Sequence, residues 1–286
     1  MIKKIKSILH PPPKHWVGDG FHVHNIISSQ KTPYEDLSPF LMMDHAPSKE
    51  FAPTDKKRGV GVHPHRGFET VTIALKGEIT HRDSGGGGGT ISEGGVQWMT
   101  AARGVVHDEF HSEKFRNEGG EFSMLQLWVN LPKENKMDPP KYQSFDQSDF
   151  ASYKLSDQLK MKVIAGEYGD AKGPAQTFSP MLIGLISGIG KTKLSLRPQY
   201  NTLIYSIDQE ISVNQQSLKA LDLALFEKDG ETIELELPKK CQALLLHAMP
   251  LTDPVVSYGP FVMTTEKEIM EAMSDFQSGK MGNLDF

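Results

Sequence analysis

Two short pieces of this chain set metal-binding side chains two residues apart: His63-Pro64-His65 and His107-Asp108-Glu109. Side chains alternate between faces along a β-strand, so each pair falls on one face. If the two strands are neighbours in a small barrel, three imidazoles and one carboxylate meet at one point. Such a mixed nitrogen and oxygen set suits one divalent transition metal: iron, manganese, nickel, copper or zinc. The expected ligands are His63, His65, His107 and Glu109. Four protein donors on a six-coordinate ion leave positions open for substrate, dioxygen or water, whereas structural sites are closed and rich in cysteine.

Other histidines compete for the role. His22 and His24 form a second His-x-His in FHVHN, but nothing nearby supplies the other half of a site, and a strand face carrying polar histidines is the simpler account. His45, after Met42-Met43-Asp44, and His247, inside ALLLHAMPL, are expected to be hydrogen-bonded structural groups.

The elements that must carry these residues read as strands. TVTIALKGEI (70–79) is rich in β-branched residues and ends in a turn, FSMLQLWV (122–129) is another apolar strand, and Met181 to Ala248 is a strand-rich block. The glycine run 85–89 lacks the spacing of a dinucleotide fingerprint and is expected to be a loop between two strands. Asn130-Leu-Pro and Asp138-Pro-Pro break the pattern, which puts a boundary between domains 1–135 and 136–286. SLRPQYNTLIYSIDQEI in the second half resembles GVHPHRGFETVTIALKGEI in the first, as a duplication would produce. Arg197 and Gln199 then stand where His63 and His65 stand, so the second copy is expected to hold no metal. One helix is expected at the end, with a Thr265/Glu268 capping box, an apolar stripe of Ile269, Met270, Met273 and Phe276, and Gly279 as a stop.

Composition narrows the class. With 38% hydrophobic and 23% charged residues the chain has ample material for a core. A net charge of -5 gives no electrostatic reason to bind nucleic acid directly. No stretch approaches the roughly 20 apolar residues that span a bilayer, and the apolar run in the basic MIKKIKSILHPPP start is too short for a secretory signal. A single cysteine, Cys241, fits a cytoplasmic setting.

At HPHRGFETVT (63–72), GEITHRDS (77–84), VQWMTAARGVVHDE (96–109) and GPFVMTTEKEI (259–269), and also at VGDGF (17–21) and PFLMMDH (39–45), the chain resembles the pirin family of the cupin superfamily over nearly its full length. The resemblance implies an all-β architecture of two cupin domains in tandem, jelly-roll barrels of the double-stranded β-helix type, with a short C-terminal helix. It also implies a divalent metal, usually iron as Fe(2+), in the N-terminal domain. The family's three histidines and one glutamate fall on His63, His65, His107 and Glu109. In ordinary cupins a first-motif glutamate is a ligand, but here the spacing from Glu69 to Gly77 is one residue too long. Glu69 is therefore expected to face away from the metal, with Thr70 in the usual ligand's place and Glu109 bringing the carboxylate. Ala102 replaces the second motif's proline, while Gly104 to His107 keeps its step.

The function implied is a dioxygenase of the quercetinase type, cleaving the flavonol heterocycle with dioxygen and releasing carbon monoxide. Glu109 is the obvious carboxylate to take the 3-hydroxyl proton. Trp98, Met99, Phe122, Met124 and Trp128 are candidate walls for a flat substrate, or alternatively ordinary core; another chelating enol or catechol could replace the flavonol. The alternative function is a regulator that binds a protein partner according to the metal's oxidation state, with Lys56-Lys57-Arg58 near the metal motif as part of the contact surface.

Overall fold

Short apolar runs rich in β-branched residues and separated by turn residues bury themselves as strands of layered sheets, and that is how this chain folds. The computed structural model describes residues 1–28 and 31–284; residues 29 and 30, in the turn-rich segment 28–36, lie outside it. The structure is mostly β with a short C-terminal helix.

The chain forms two compact units that interleave along the sequence. One comprises Met1–Pro12, Ile26–Pro39 and Asp149–Pro250, the other Pro13–Asn25, Phe40–Ser148 and Leu251–Phe286. The passage from one unit to the other at 148/149 lies near the expected boundary at 135/136, but each unit also takes in a terminal segment. Strand Ile5–Leu9 pairs with Leu223–Phe226, and the last residues pack on Val106 through Phe261, Met263, Ile269 and Ala272. A break in patterning marks a linker; it carries no record of which distant strand a terminal segment joins.

The unit built on residues 40–148 has two sheets. The larger runs Lys141–Phe145, Val96–Thr100, Phe68–Lys76, Gly120–Asn130, Phe40–Phe51, Phe21–Ser28 and His15–Val17; the smaller runs Gly59–His65, Val105–His111, Ile79–Asp83 and Gly88–Ile91. The strands bearing the two donor pairs are thus hydrogen-bonded neighbours. The glycine run 85–89 turns between Ile79–Asp83 and Gly88–Ile91, with the Gly85 and Gly87 amides donating to Asp83 Oδ1 at 2.7 and 3.0 Å.

The turn after His65 is anchored on every side. The Arg66 guanidinium donates to the Arg103 carbonyl at 2.6 Å and to Asp275 at 2.9 Å. Gly67 has φ +88°, and a Cβ there would come within 1.9 Å of the Val262 carbonyl oxygen, so only glycine permits this approach. The buried Lys136 ammonium donates to the carbonyls of Gly67 and Val262 and to Asn130 Oδ1 at 2.6 to 2.9 Å. Burial draws its pKa down to about 7, and the three oxygens take up its three donors.

The other unit is a nine-stranded sheet in which Met181–Ser195 pairs with Thr232–Ala248 along their length. The Met181–Ser195 strand ends before Arg197, so Arg197 and Gln199 lie in a turn, unlike His63 and His65, which lie within a strand. The His247 ring is engaged at both nitrogens. The Arg197 amide donates to Nε2 at 3.2 Å, which leaves the ring proton on Nδ1 facing Thr202 Oγ1 at 2.9 Å. Burial holds it neutral, with a pKa of about 3.

The C-terminal helix spans Glu266–Gln277 with the expected capping box, and Gly279 follows at φ +75°. Its buried stripe is not the expected one. Ile269 and Ala272 are buried, whereas Met270 is 62% exposed and Phe276 40% exposed. The helix docks through a small residue and leaves its bulkier methionine in water. Among the described residues no helix is long and apolar enough to cross a membrane.

Removing the Asp275 carboxylate leaves the Arg66 guanidinium, 5% exposed, with one donor unmatched. The Asp275→Ala variant is expected to lose about 1 to 2 kcal/mol in urea unfolding, the solvent side of Asp275 keeping the loss at that level.

Candidate functional site

The register of the Gly59–His65 and Val105–His111 strands builds the site. His107 lies directly opposite His63, and Val105 opposite His65. Alternation then puts His63, His65, His107 and Glu109 on one face, toward the barrel interior. The His63 and His107 ring centres are 4.1 Å apart, those of His65 and His107 4.6 Å, and those of His63 and His65 4.9 Å. One donor atom from each of the three lies within 4.8 Å of the others.

Glu109 joins this group through His107, in a second cluster that also contains His81. His81, on the Ile79–Asp83 strand, stands opposite Glu109 in the register. Its Nε2 is 2.5 Å from His107 Nδ1. With the proton on His107 Nδ1, His81 accepts it and His107 Nε2 is left as a bare lone pair, the state a metal ligand needs. The carboxylate of Glu109 accepts from the Gln126 amide at 2.9 and 3.0 Å and from Thr72 Oγ1 at 3.4 Å.

Electrostatics prepare these groups for a cation. Burial first, then the neighbouring imidazoles, holds His65 and His107 well below the usual histidine range, so both are neutral donors. Burial raises the Glu109 carboxyl, while Gln126 and His63 draw it back. His65 Nδ1 and His107 Nε2 are buried with no hydrogen-bond partner. Three imidazoles at mutual distances a single ion spans, with the Glu109 carboxylate in reach of His107, fit a divalent metal. Both clusters found among the described residues lie here, and neither contains His22, His24 or His45.

The opposite wall comes from the larger sheet. Phe68, Thr70 and Thr72 share the strand face that meets the site. Phe68 stands 5.0 Å from the His65 ring and 4.4 Å from Trp128, which is itself 5.2 Å from His65. Thr70 therefore lies on the site's side and Glu69 on the reverse, where its carboxyl accepts from Thr100 Oγ1 at 2.7 Å. Of the five candidate wall residues, only Trp128 stands at the histidines. Met99 packs with Ala101 and Val105, Phe122 and Met124 belong to the core around Phe21 and Phe51, and Trp98 is fully buried on the face of Glu69.

Sequence reasoning missed His81, Thr72, Gln126 and Phe68. His81 carried a signal, since THRD alternates as a half-buried strand would, with a second donor type pointing inward. Alternation alone would also have selected His111, two residues beyond Glu109, yet the His111 ring hydrogen-bonds the Gly20 carbonyl and sits among Phe51, Phe115 and Phe122.

The pirin family model matches residues 20–129, and the model of the pirin C-terminal cupin domain matches residues 185–282. A Pseudomonas aeruginosa protein, provisionally named a quercetin 2,3-dioxygenase, is 43% identical over 98% of both chains. A crystal structure titled quercetin 2,3-dioxygenase, from Acinetobacter baumannii, superposes with a TM-score of 0.96 at 45% identity over the full length of both. A bacterial pirin from Escherichia coli, solved in complex with nickel(II), shares the fold at 18% identity and a TM-score of 0.64, covering 86% of this chain and 99% of that one.

Glu69 gives this site's surroundings a pH signature. Burial raises its carboxyl to about 7, against 4.5 when unfolded. The cost of ionising it is absent below pH 4.5, grows as pH rises toward 7 and is complete above that, amounting to about 3 kcal/mol. The Glu69→Gln variant is expected to be more stable than wild type in urea at pH 8 by about 1 to 3 kcal/mol and to lose that advantage at pH 4.5.

Proposed function

The chain belongs to the pirin family, and from that premise we propose that it is a metal-dependent dioxygenase of the quercetinase type, opening the flavonol heterocycle with dioxygen and releasing carbon monoxide. The observation that carries the proposal is the gathering of His63, His65 and His107, with Glu109 joined through His107, beside an aromatic wall. We take these four residues as the ligands and iron(II) as the ion, with manganese, nickel, copper and zinc suited to the same donors. An ion held there supplies Lewis acidity toward a chelating hydroxyl and redox chemistry toward dioxygen. The setting proposed is cytoplasmic, in keeping with one buried thiol, Cys241.

The chain's own groups divide the remaining work. Glu109 takes the proton of the substrate's 3-hydroxyl, because burial makes its carboxyl more basic than one in water. Gln126 fixes that carboxylate by donating to both its oxygens, and Thr72 adds a third donor. His81 holds the His107 ring in one orientation. Phe68 and Trp128 offer flat apolar surface to an aromatic ligand beside His65.

The test is oxygen uptake and carbon monoxide release on quercetin by iron-loaded protein. Equal amounts of the two are expected, with loss of both on chelation and in His63→Ala, and a fall in kcat of about 100-fold or more in Glu109→Gln. Bound metal without turnover would overturn the proposal in favour of a metal-dependent contact with a protein partner.

A further inference from the structure

The unit built on residues 149–250 carries an open-sided cavity of about 720 Å³, within the usual range for small-molecule sites. Its aromatic walls are Tyr153, Tyr168 and Tyr200. Its charged lining is mostly basic, and Glu167 is the one acid among the lining residues.

The walls are held in place. The Tyr153 and Tyr168 rings meet edge to face at 5.1 Å, and the Ser195 amide donates to the Tyr168 hydroxyl at 3.1 Å. Gly169 has φ +60°, and a Cβ there would lie 2.1 Å from the Tyr153 ring, so the turn carrying Tyr168 closes on Tyr153 only because position 169 has no side chain. Tyr200 lies 5.0 Å from the buried His247 ring, whose Nε2 accepts the Arg197 amide. His247 thereby fixes the backbone from which Arg197 projects. The Leu196 and Gln199 amides, bonded to the carbonyls of Glu231 and Lys228, hold the same turn from either side.

The cations differ in one respect. Lys154 pairs with Asp157, Lys172 with Glu167 and Lys193 with Glu234. Arg197 has no carboxylate partner among the described residues. Its guanidinium is a permanent planar cation at the cavity lining. A guanidinium pairs with a carboxylate through two parallel hydrogen bonds, and tyrosine rings stack on aromatic surface.

We infer that this cavity is a metal-independent binding site for a small aromatic carboxylate, its ring among Tyr153, Tyr168 and Tyr200 and its carboxylate on Arg197. The inference does not rest on the dioxygenase proposal. The experiment is calorimetric titration of chelator-stripped protein with 4-hydroxybenzoate, with uncharged 4-hydroxybenzamide as control. Saturable binding is expected, weakened about tenfold or more in Arg197→Gln and for the amide. Arg197 is exposed and the substitution leaves its backbone bonds intact, so the variant folds. Absence of saturable binding to wild type, or equal binding by wild type and Arg197→Gln, would overturn it.

Discussion

One antiparallel register, with His63 opposite His107, carries the whole candidate centre. A slip of one residue would turn His63 and His65 to the outer face while His107 stayed inside, and the three-histidine set would be lost. The chain pins this register on both flanks. Ser84 exchanges bonds with Val106, accepting its amide at Oγ and donating its own amide to the Val106 carbonyl, and its hydroxyl reaches the Met281 carbonyl. On the other flank Arg66 and Gly67 are tied to Arg103, Asp275, Ala102 and Val262. The C-terminal residues belong to this unit and hold the ends of the strands that carry the candidate donors.

The same register decides the electrostatics. It brings imidazoles together inside a barrel wall, where burial first and the neighbouring rings second keep His65 and His107 neutral. Each buried nitrogen left without a partner costs about 1 to 3 kcal/mol. His65 Nδ1 and His107 Nε2 are two such groups, and a cation between them would offset that cost. Glu109 supplies the negative charge and is itself steered by Gln126 from the facing sheet, so both sheets contribute to the one centre.

How much of this was legible in the sequence depended on how local each signal was. His-x-His and His-x-Glu work within a strand through a period of two, and the face of Glu69 followed from a one-residue excess in spacing. Neighbouring of the two donor strands was a condition the sequence could state but not verify. Gln126, Thr72 and Phe68 stayed hidden because they reach the site through sheet packing, which leaves no periodicity beside the donors. The helix was readable at its start, where a capping box is local, and misread along its stripe. Methionine and alanine both fit a helical face, and only the docking partner selects Ala272 over Met270. Which strands the N-terminal segment joins is hidden for the same reason: pairing across more than 200 residues has no local signature.

The most direct test of the central claim is metal stoichiometry by elemental analysis, after stripping, reconstitution with iron(II) under anaerobic conditions and removal of excess ion, on wild type and His107→Ala. His107 is the residue common to both donor clusters. The account predicts about one equivalent of metal per chain in wild type and a small fraction of that in the variant. Wild type that retains no metal, or a His107→Ala variant that retains as much as wild type, would contradict it.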